Sequence, residues 1–143
     1  MTRLHPGSSR SERKLERLNE VFHKLAEKSE DTVVLVEGRK DRSALRRLGV
    51  QGPIVCMQPA GHSLIDFLDR LPDREVVLLV DFDEYGAALA HKITQYLEEK
   101  RVKVNGAFWR KIRGLVRRDM KDIEGLPSYL EKLKNTPTNT LRT

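Results

Sequence analysis

Val33-Val34-Leu35-Val36-Glu37-Gly38 and, later in the chain, Val76-Val77-Leu78-Leu79-Val80-Asp81-Phe82-Asp83 decide the fold. Both runs are apolar without alternation, which describes strands covered on both faces. Around them the pattern alternates. Strands are expected over residues 32–36, 53–57, 76–80 and 102–104. Helices are expected over residues 42–48, 63–71, 85–100, 108–116 and 127–134. Gly49 stops the first of these helices, and Pro127 opens the last. Ahead of them, Ser9 and Glu12 fit a capping box. Leu15, Leu18, Val21, Phe22 and Leu25 then recur at helical spacing. Strand–helix alternation with two fully apolar strands predicts an α/β fold with a parallel sheet flanked by helices. In such sheets ligands bind beyond the carboxyl ends of the strands, where the strand order reverses. An assumed order 2-1-3-4 sets that point between the first and third strands.

The chain has 143 residues, a single cysteine, 27 Lys plus Arg and 21 Asp plus Glu, for a formal charge of +6. It holds no apolar run of the roughly 18–20 residues a membrane span needs, and its first residues lack a signal peptide's apolar stretch. Cys56 alone cannot make an internal disulfide or a Cys-rich zinc site. A soluble, cytoplasmic, basic, single-domain protein is expected. Residues 1–30 read as a basic arm and amphipathic helix, 31–106 as the core, 107–134 as a basic helical extension and 135–143 as a disordered tail. Residues 107–143 carry a net +5, while 31–106 are near balance at −1. The densest cationic stretch holds Arg110, Lys111, Arg113, Arg117, Arg118 and Lys121. It fits a phosphate-backbone footprint. A solvated helix face is the ordinary alternative.

Each central apolar run ends in carboxylate. Glu37 follows the first, and Asp81 and Asp83 follow the third. On adjacent strands, these three would converge in one crevice, and their mutual repulsion calls for a cation. Hard oxygen donors, with no Cys or clustered His, favour magnesium or manganese over zinc. Strand-end acids that only cap the following turns are the alternative. Gly38 and Gly86 allow tight turns and close backbone approach beside these acids, and Asp41 can cap the helix that follows. Asp122 and Glu124 would join the acids if the C-terminal segment folds back; otherwise they mark a helix start. Gly61, His62 and Ser63 precede a helix, with a capping serine as the plain reading. His5, His23, His62 and His91 show no ligand spacing. Trp109 can stack on a base or anchor its helix, and Cys56 reads as core.

Val33 to Asp41, followed by Ala44-Leu45 and Leu48-Gly49, resembles the first motif of Toprim domains. Val77-Leu78-Leu79-Val80-Asp81-Phe82-Asp83-Glu84-Tyr85-Gly86 resembles their second motif, and the match spans roughly residues 31–106. The whole chain is similar to the small stand-alone Toprim proteins of archaea, and residues 116–127 resemble their C-terminal signature. The resemblance implies a compact, parallel four-stranded Toprim fold. It implies that Glu37 serves as general acid/base or metal ligand, and that Asp81 and Asp83 coordinate one or two magnesium ions. It also implies action on nucleic acid, with RNA favoured over DNA. The chain shows no zinc region, tyrosine-bearing topoisomerase domain or nucleoside-triphosphatase domain, so a nuclease or RNA-processing enzyme is expected, with room for a recruiting protein partner. A non-catalytic nucleic-acid-binding module of the same fold is the alternative. A haloacid-dehalogenase-type phosphatase is disfavoured, because Glu84-Tyr85-Gly86 departs from that pattern and Glu37-Gly38 would have no role in it.

Overall fold

Val, Leu and nothing polar make up β1 (Val33–Val36) and β3 (Val76–Leu78), and every one of these residues is buried. They pair in parallel at the centre of a four-stranded sheet of order β2-β1-β3-β4, with β2 (Ile54–Cys56) and β4 (Val104–Asn105) at the edges. The computed structural model describes residues 9–57 and 63–136. The expected arm over residues 1–8, Gly61, His62, and the tail from 137 onward lie outside the described residues.

The two faces of the sheet bury different helices. Val34, Val36, Val77 and Leu79 face one side. There they meet Leu18, Phe22 and Leu25 of α1 (Arg10–Ser29) and Leu45 of α2 (Arg39–Arg47). Ile112 and Val116 of α5 (Ala107–Val116) and Leu126 and Leu130 of α6 (Leu126–Lys134) complete that layer. Leu35, Val76, Leu78 and Val80 face the other side, against Leu68 of α3 (Leu64–Asp69) and Ile93 and Leu97 of α4 (Glu84–Glu99). The period of two along each strand produces this division. From β1 the chain crosses through α2 to β2; it then returns through α3 to β3 and passes through α4 to β4 on the opposite face. A reversal of direction with a change of face is what a single crossover hand requires. The switch point therefore falls between β1 and β3, which matches the assumed strand order.

Element ends differ from expectation for local reasons. The apolar run continues through Val80, but the ladder stops at Leu78. Leu79 still donates to Leu35 (2.9 Å), whereas the Val80 carbonyl accepts from the Trp109 indole Nε1 (2.8 Å). The helix expected at residue 42 begins at Arg39, because Asp41 is its third residue and accepts from the Gly38 N–H (3.0 Å). Ser9 and Glu12 do form a reciprocal capping box. Ser63 caps α3 by accepting from the Asp66 N–H.

The N- and C-terminal helices share one core with the sheet. A polar tie reinforces them at the surface. Asp119 accepts from the Tyr129 hydroxyl (2.6 Å) and from Lys14 Nζ (3.1 Å), joining α1, α6 and the turn after α5. The Tyr129 hydroxyl, then Lys14, hold the Asp119 carboxyl below its usual range. A depressed folded-state pKa adds stability that is present above the unfolded value and lost as pH falls through the folded value. Tyr129→Phe is therefore expected to cost about 1 kcal/mol at neutral pH and to flatten the loss of stability below about pH 4. Urea denaturation at pH 7 and pH 3 measures both effects.

Candidate functional site

Continuing the β1–β3 register past the ladder sets Glu37 level with Val80, one residue from Asp81. The contact between them is direct: the Asp81 backbone N–H reaches Glu37 Oε1 at 3.5 Å, a long hydrogen bond. Both acids stand at the carboxyl ends of the two central strands, at the switch point. Asp83 is the N-cap of α4, and its Oδ1 accepts from the Gly86 N–H (2.8 Å). Close backbone approach explains Gly86, in the first turn of α4: a Cβ there would lie 2.0 Å from the Asp81 carbonyl oxygen. Gly38 is different, since a Cβ there would meet nothing within 4 Å and its backbone is extended. The expected close backbone approach holds at Gly86 and not at Gly38.

The C-terminal segment folds back onto this edge. The Phe82 N–H donates to the Lys121 carbonyl (2.6 Å), and the Ile123 N–H donates to Asp81 Oδ1 (3.1 Å). Ile123 and Leu126 are fully buried and anchor the strap. This return brings Asp122 within electrostatic reach of Asp41 and Asp81, and Glu124 within reach of Asp41. Asp122 also accepts from the Gly125 N–H (2.9 Å), so it both starts the last helix and joins the acidic field. Asp41 is a member that sequence reasoning assigned to structure alone. Its spacing from Asp81 is long-range, so no local pattern shows it.

Burial raises the proton affinity of Glu37, and the neighbouring Asp81 charge adds to it; Asp41 and Asp83 push the same way. Burial likewise raises Asp81. The Ile123 N–H opposes that shift, while Asp41, Asp122 and Asp83 reinforce it. Asp41 is raised by burial, against the Gly38 N–H, with Glu124 and Asp122 adding. Among the described residues, no three His, Cys, Asp or Glu side chains already close around a point that could hold an ion. The donor set still fits magnesium, which takes one or two carboxylates and keeps several waters. Glu37, Asp81 and Asp83 each have one oxygen engaged by a backbone N–H, and among the described residues the second oxygen has no protein donor.

The six cations of the basic stretch are divided. Arg113 lies over the Trp109 ring (5.3 Å), with its Nε buried and unpartnered. Trp109 itself donates to the Val80 and Asp81 carbonyls and stacks near Phe82 (6.4 Å). It anchors α5 to the acidic strand end and is not an open base-stacking platform. Lys121 sits in the strap. Arg110 and Lys111 project from α5, and Arg117 and Arg118 from the turn after it; all four are exposed. An exposed aromatic follows Asp83 by two residues: Tyr85, 69% exposed, in the first turn of α4. Cys56 is a half-buried free thiol against the core.

The raised proton affinity of Asp81 makes its ionised form a cost to the folded state. A raised folded-state pKa gives stability that is full below the unfolded value and lost as pH rises through the folded one. Asp81→Asn keeps an acceptor for the Ile123 N–H and removes the charge. In chelator at pH 7, it is expected to raise Tm by about 2–4 °C, the shift that roughly 1 kcal/mol makes at this size once solvent screening of a half-exposed group is allowed for. Thermal melts of both proteins at pH 4 and pH 7 check this, with the gap narrowing at pH 4.

No protein-family model matches the chain. A UPF0292 protein of Methanosarcina acetivorans is 32% identical over 126 residues, covering 86% of each chain. One from Methanocaldococcus jannaschii is 36% identical over 118 residues, 82% of this chain and 92% of its own. One from Archaeoglobus fulgidus is 34% identical over 115 residues, 80% of this chain and 90% of its own. Among solved structures, a putative protein from Aquifex aeolicus superposes with a TM-score of 0.61 at 27% identity, over 75% of this chain and 95% of that one. Identity above 30% across more than four-fifths of the sequence places the chain in the UPF0292 family of archaeal proteins.

Proposed function

We propose that the protein is a magnesium-binding Toprim protein that acts on nucleic acid as a phosphodiester-cleaving nuclease or RNA-processing enzyme in the cytoplasm, with RNA favoured over DNA. The observation that carries this reading is the juxtaposition of Glu37 with Asp81 across the β1–β3 switch point, at the Toprim motif positions. Asp83, two residues on at the N-cap of α4, supplies the third carboxylate. Bound there, magnesium would supply charge neutralisation for a phosphodiester and an activated water. Glu37 is suited to hold or release a proton at Oε2, because burial and the Asp81 charge raise its proton affinity. The backbone N–H groups of Asp81, Ile123 and Gly86 orient the three carboxylates. Tyr85, two residues after Asp83, offers a solvent-exposed ring on which an unpaired base can stack.

A second reading has an observation of its own. Asp83 caps α4 and Asp81 holds the strap, so both acids have structural employment without a metal. On that reading the protein binds nucleic acid and does no chemistry.

The two readings separate in one assay. Wild type with 5 mM magnesium, an on-the-order-of choice for a weak divalent site, is incubated with labelled single-stranded and duplex RNA and DNA. The enzyme reading expects magnesium-dependent cleavage that falls by about 100-fold or more in Asp81→Asn/Asp83→Asn. It also expects magnesium to raise the Tm of wild type and not of the double variant. Intact substrates together with a magnesium-insensitive Tm would leave the binding-module reading standing.

A further inference from the structure

Two adjoining depressions follow the seam between α1 and α5. One, of about 510 Å3, sets Arg17, Lys24 and Lys111 around an apolar floor of Val21 and Phe108. The other, of about 480 Å3, is rimmed by Arg10, Lys14, Arg117 and Arg118. Gly114 and Leu115 line both, so the two form one continuous furrow. Along α1, Arg10, Lys14, Arg17 and Lys24 recur at spacings that keep them on one face of the helix. The acidic members of the lining are Glu20 and Asp119, and Asp119 is already held by Lys14 and Tyr129. Among the described residues, Lys14 is the one furrow cation in an ion pair.

Gly114 is informative. It lies inside α5 and is exposed, where glycine costs a helix roughly 1 kcal/mol relative to alanine. Packing does not demand it, since a Cβ there would meet nothing within 4 Å. Its missing side chain keeps the furrow open where the two depressions join. At the other end, Arg110 lines both the furrow and a groove of about 270 Å3 between α4 and α5 that contains Trp109 and Leu78. Trp109 donates a hydrogen bond to the Asp81 carbonyl (3.3 Å), which ties this end of α5 to the acidic strand end.

We infer that the α1–α5 furrow is the binding track for a single-stranded nucleic acid. Its phosphates lie along the two cationic rims, and its bases rest on Val21, Phe108 and Leu115. The inference deepens the function proposed above, by naming its substrate class, and rests on that reading for the nature of the polyanion. Charge complementarity selects a polyanion. The apolar floor, with an aromatic ring in it, selects one whose bases are unpaired, because a duplex presents only its backbone to such a surface. From Arg10 to Lys24 the helix rises about 21 Å, the length of about six stacked nucleotides at about 3.4 Å each.

The test is fluorescence anisotropy with the full chain, in chelator, using a labelled 12-nucleotide oligouridylate, on the order of twice the track length. Its DNA equivalent, a duplex of the same length and poly-glutamate as competitor complete the set. Single strands are expected to bind with an affinity that falls steeply with salt. Arg17→Glu/Lys111→Glu should weaken binding by about tenfold or more. The control Arg70→Glu/Lys92→Glu, with the same charge change at exposed positions on the C-cap of α3 and on α4, should change it by less than about twofold. Gly114→Leu blocks the furrow without altering charge and favours the helix, so it should stay folded and also bind about tenfold more weakly. Equal weakening by the control pair, tighter binding of duplex than of single strand, or displacement by poly-glutamate at equal charge would overturn the inference. If wild type binds single strands and the furrow variants do not, while no substrate is cleaved with magnesium, the track stands and the enzyme reading falls. If cleavage needs the acids but the furrow variants bind normally, the enzyme reading stands and the track falls.

Discussion

The parallel pairing of two strands that are apolar on both faces is the constraint from which the rest of this structure follows. Val33 to Val36 and Val76 to Leu78 cannot face water on either side, so helices must cover both. One crossover hand then forces the chain to change face when it changes direction. The break between α2 and α4 at the carboxyl edge is the unavoidable result. Polar residues cannot enter the strands, but they can stand just beyond them. Glu37 and Asp81 take those places, and the register of the buried ladder sets them side by side.

That placement has an electrostatic cost, which the fold offsets in part. Carboxylates gathered at a half-buried edge each raise the proton affinity of the next. The compensation is local and made of backbone donors: the N–H groups of Asp81, Gly38, Ile123 and Gly86 each point at one acid. The donor from Ile123 is supplied by a segment far along the chain. Burial of Ile123 and Leu126 in the helical core holds it there. The site is thus coupled to the packing of α5 and α6, and those helices belong to its construction.

The sequence pattern was most legible where one physical cause dominated. Continuous burial made the strands readable, whereas their 2-1-3-4 order is an assumption that periodicity does not supply and the observed sheet matches. Glu37, Asp81 and Asp83 were legible because each terminates an apolar run or follows it by two residues. Asp41 was not, because its capping bond to Gly38 is local and its proximity to Asp81 depends on tertiary structure. Gly86 and Gly38 look alike in sequence, yet only Gly86 has backbone where a Cβ would stand. The basic stretch was legible as charge and not as a surface. Helical geometry turns Arg113 inward over Trp109 and leaves Lys111 outside. The cations of α1 that complete the furrow sit in a segment where five acids mask them in any count of net charge.

Trp109 shows why these features belong to one device. Its indole N–H accounts for two carbonyls that the shortened β3 ladder leaves without a partner on β4. That bond fixes the start of α5 against the acidic edge, and the helix then carries Arg110, Lys111 and Gly114 along α1. The position of the furrow relative to the acids is therefore set by Trp109, packed at 6.4 Å against Phe82, together with Ile112 and Val116, which bury α5 in the core. Phe82 in turn donates to the strap that holds Asp81. Acids, strap and furrow are linked through contiguous hydrogen bonds and ring contacts, so a movement of α5 against β3 would shift all three together.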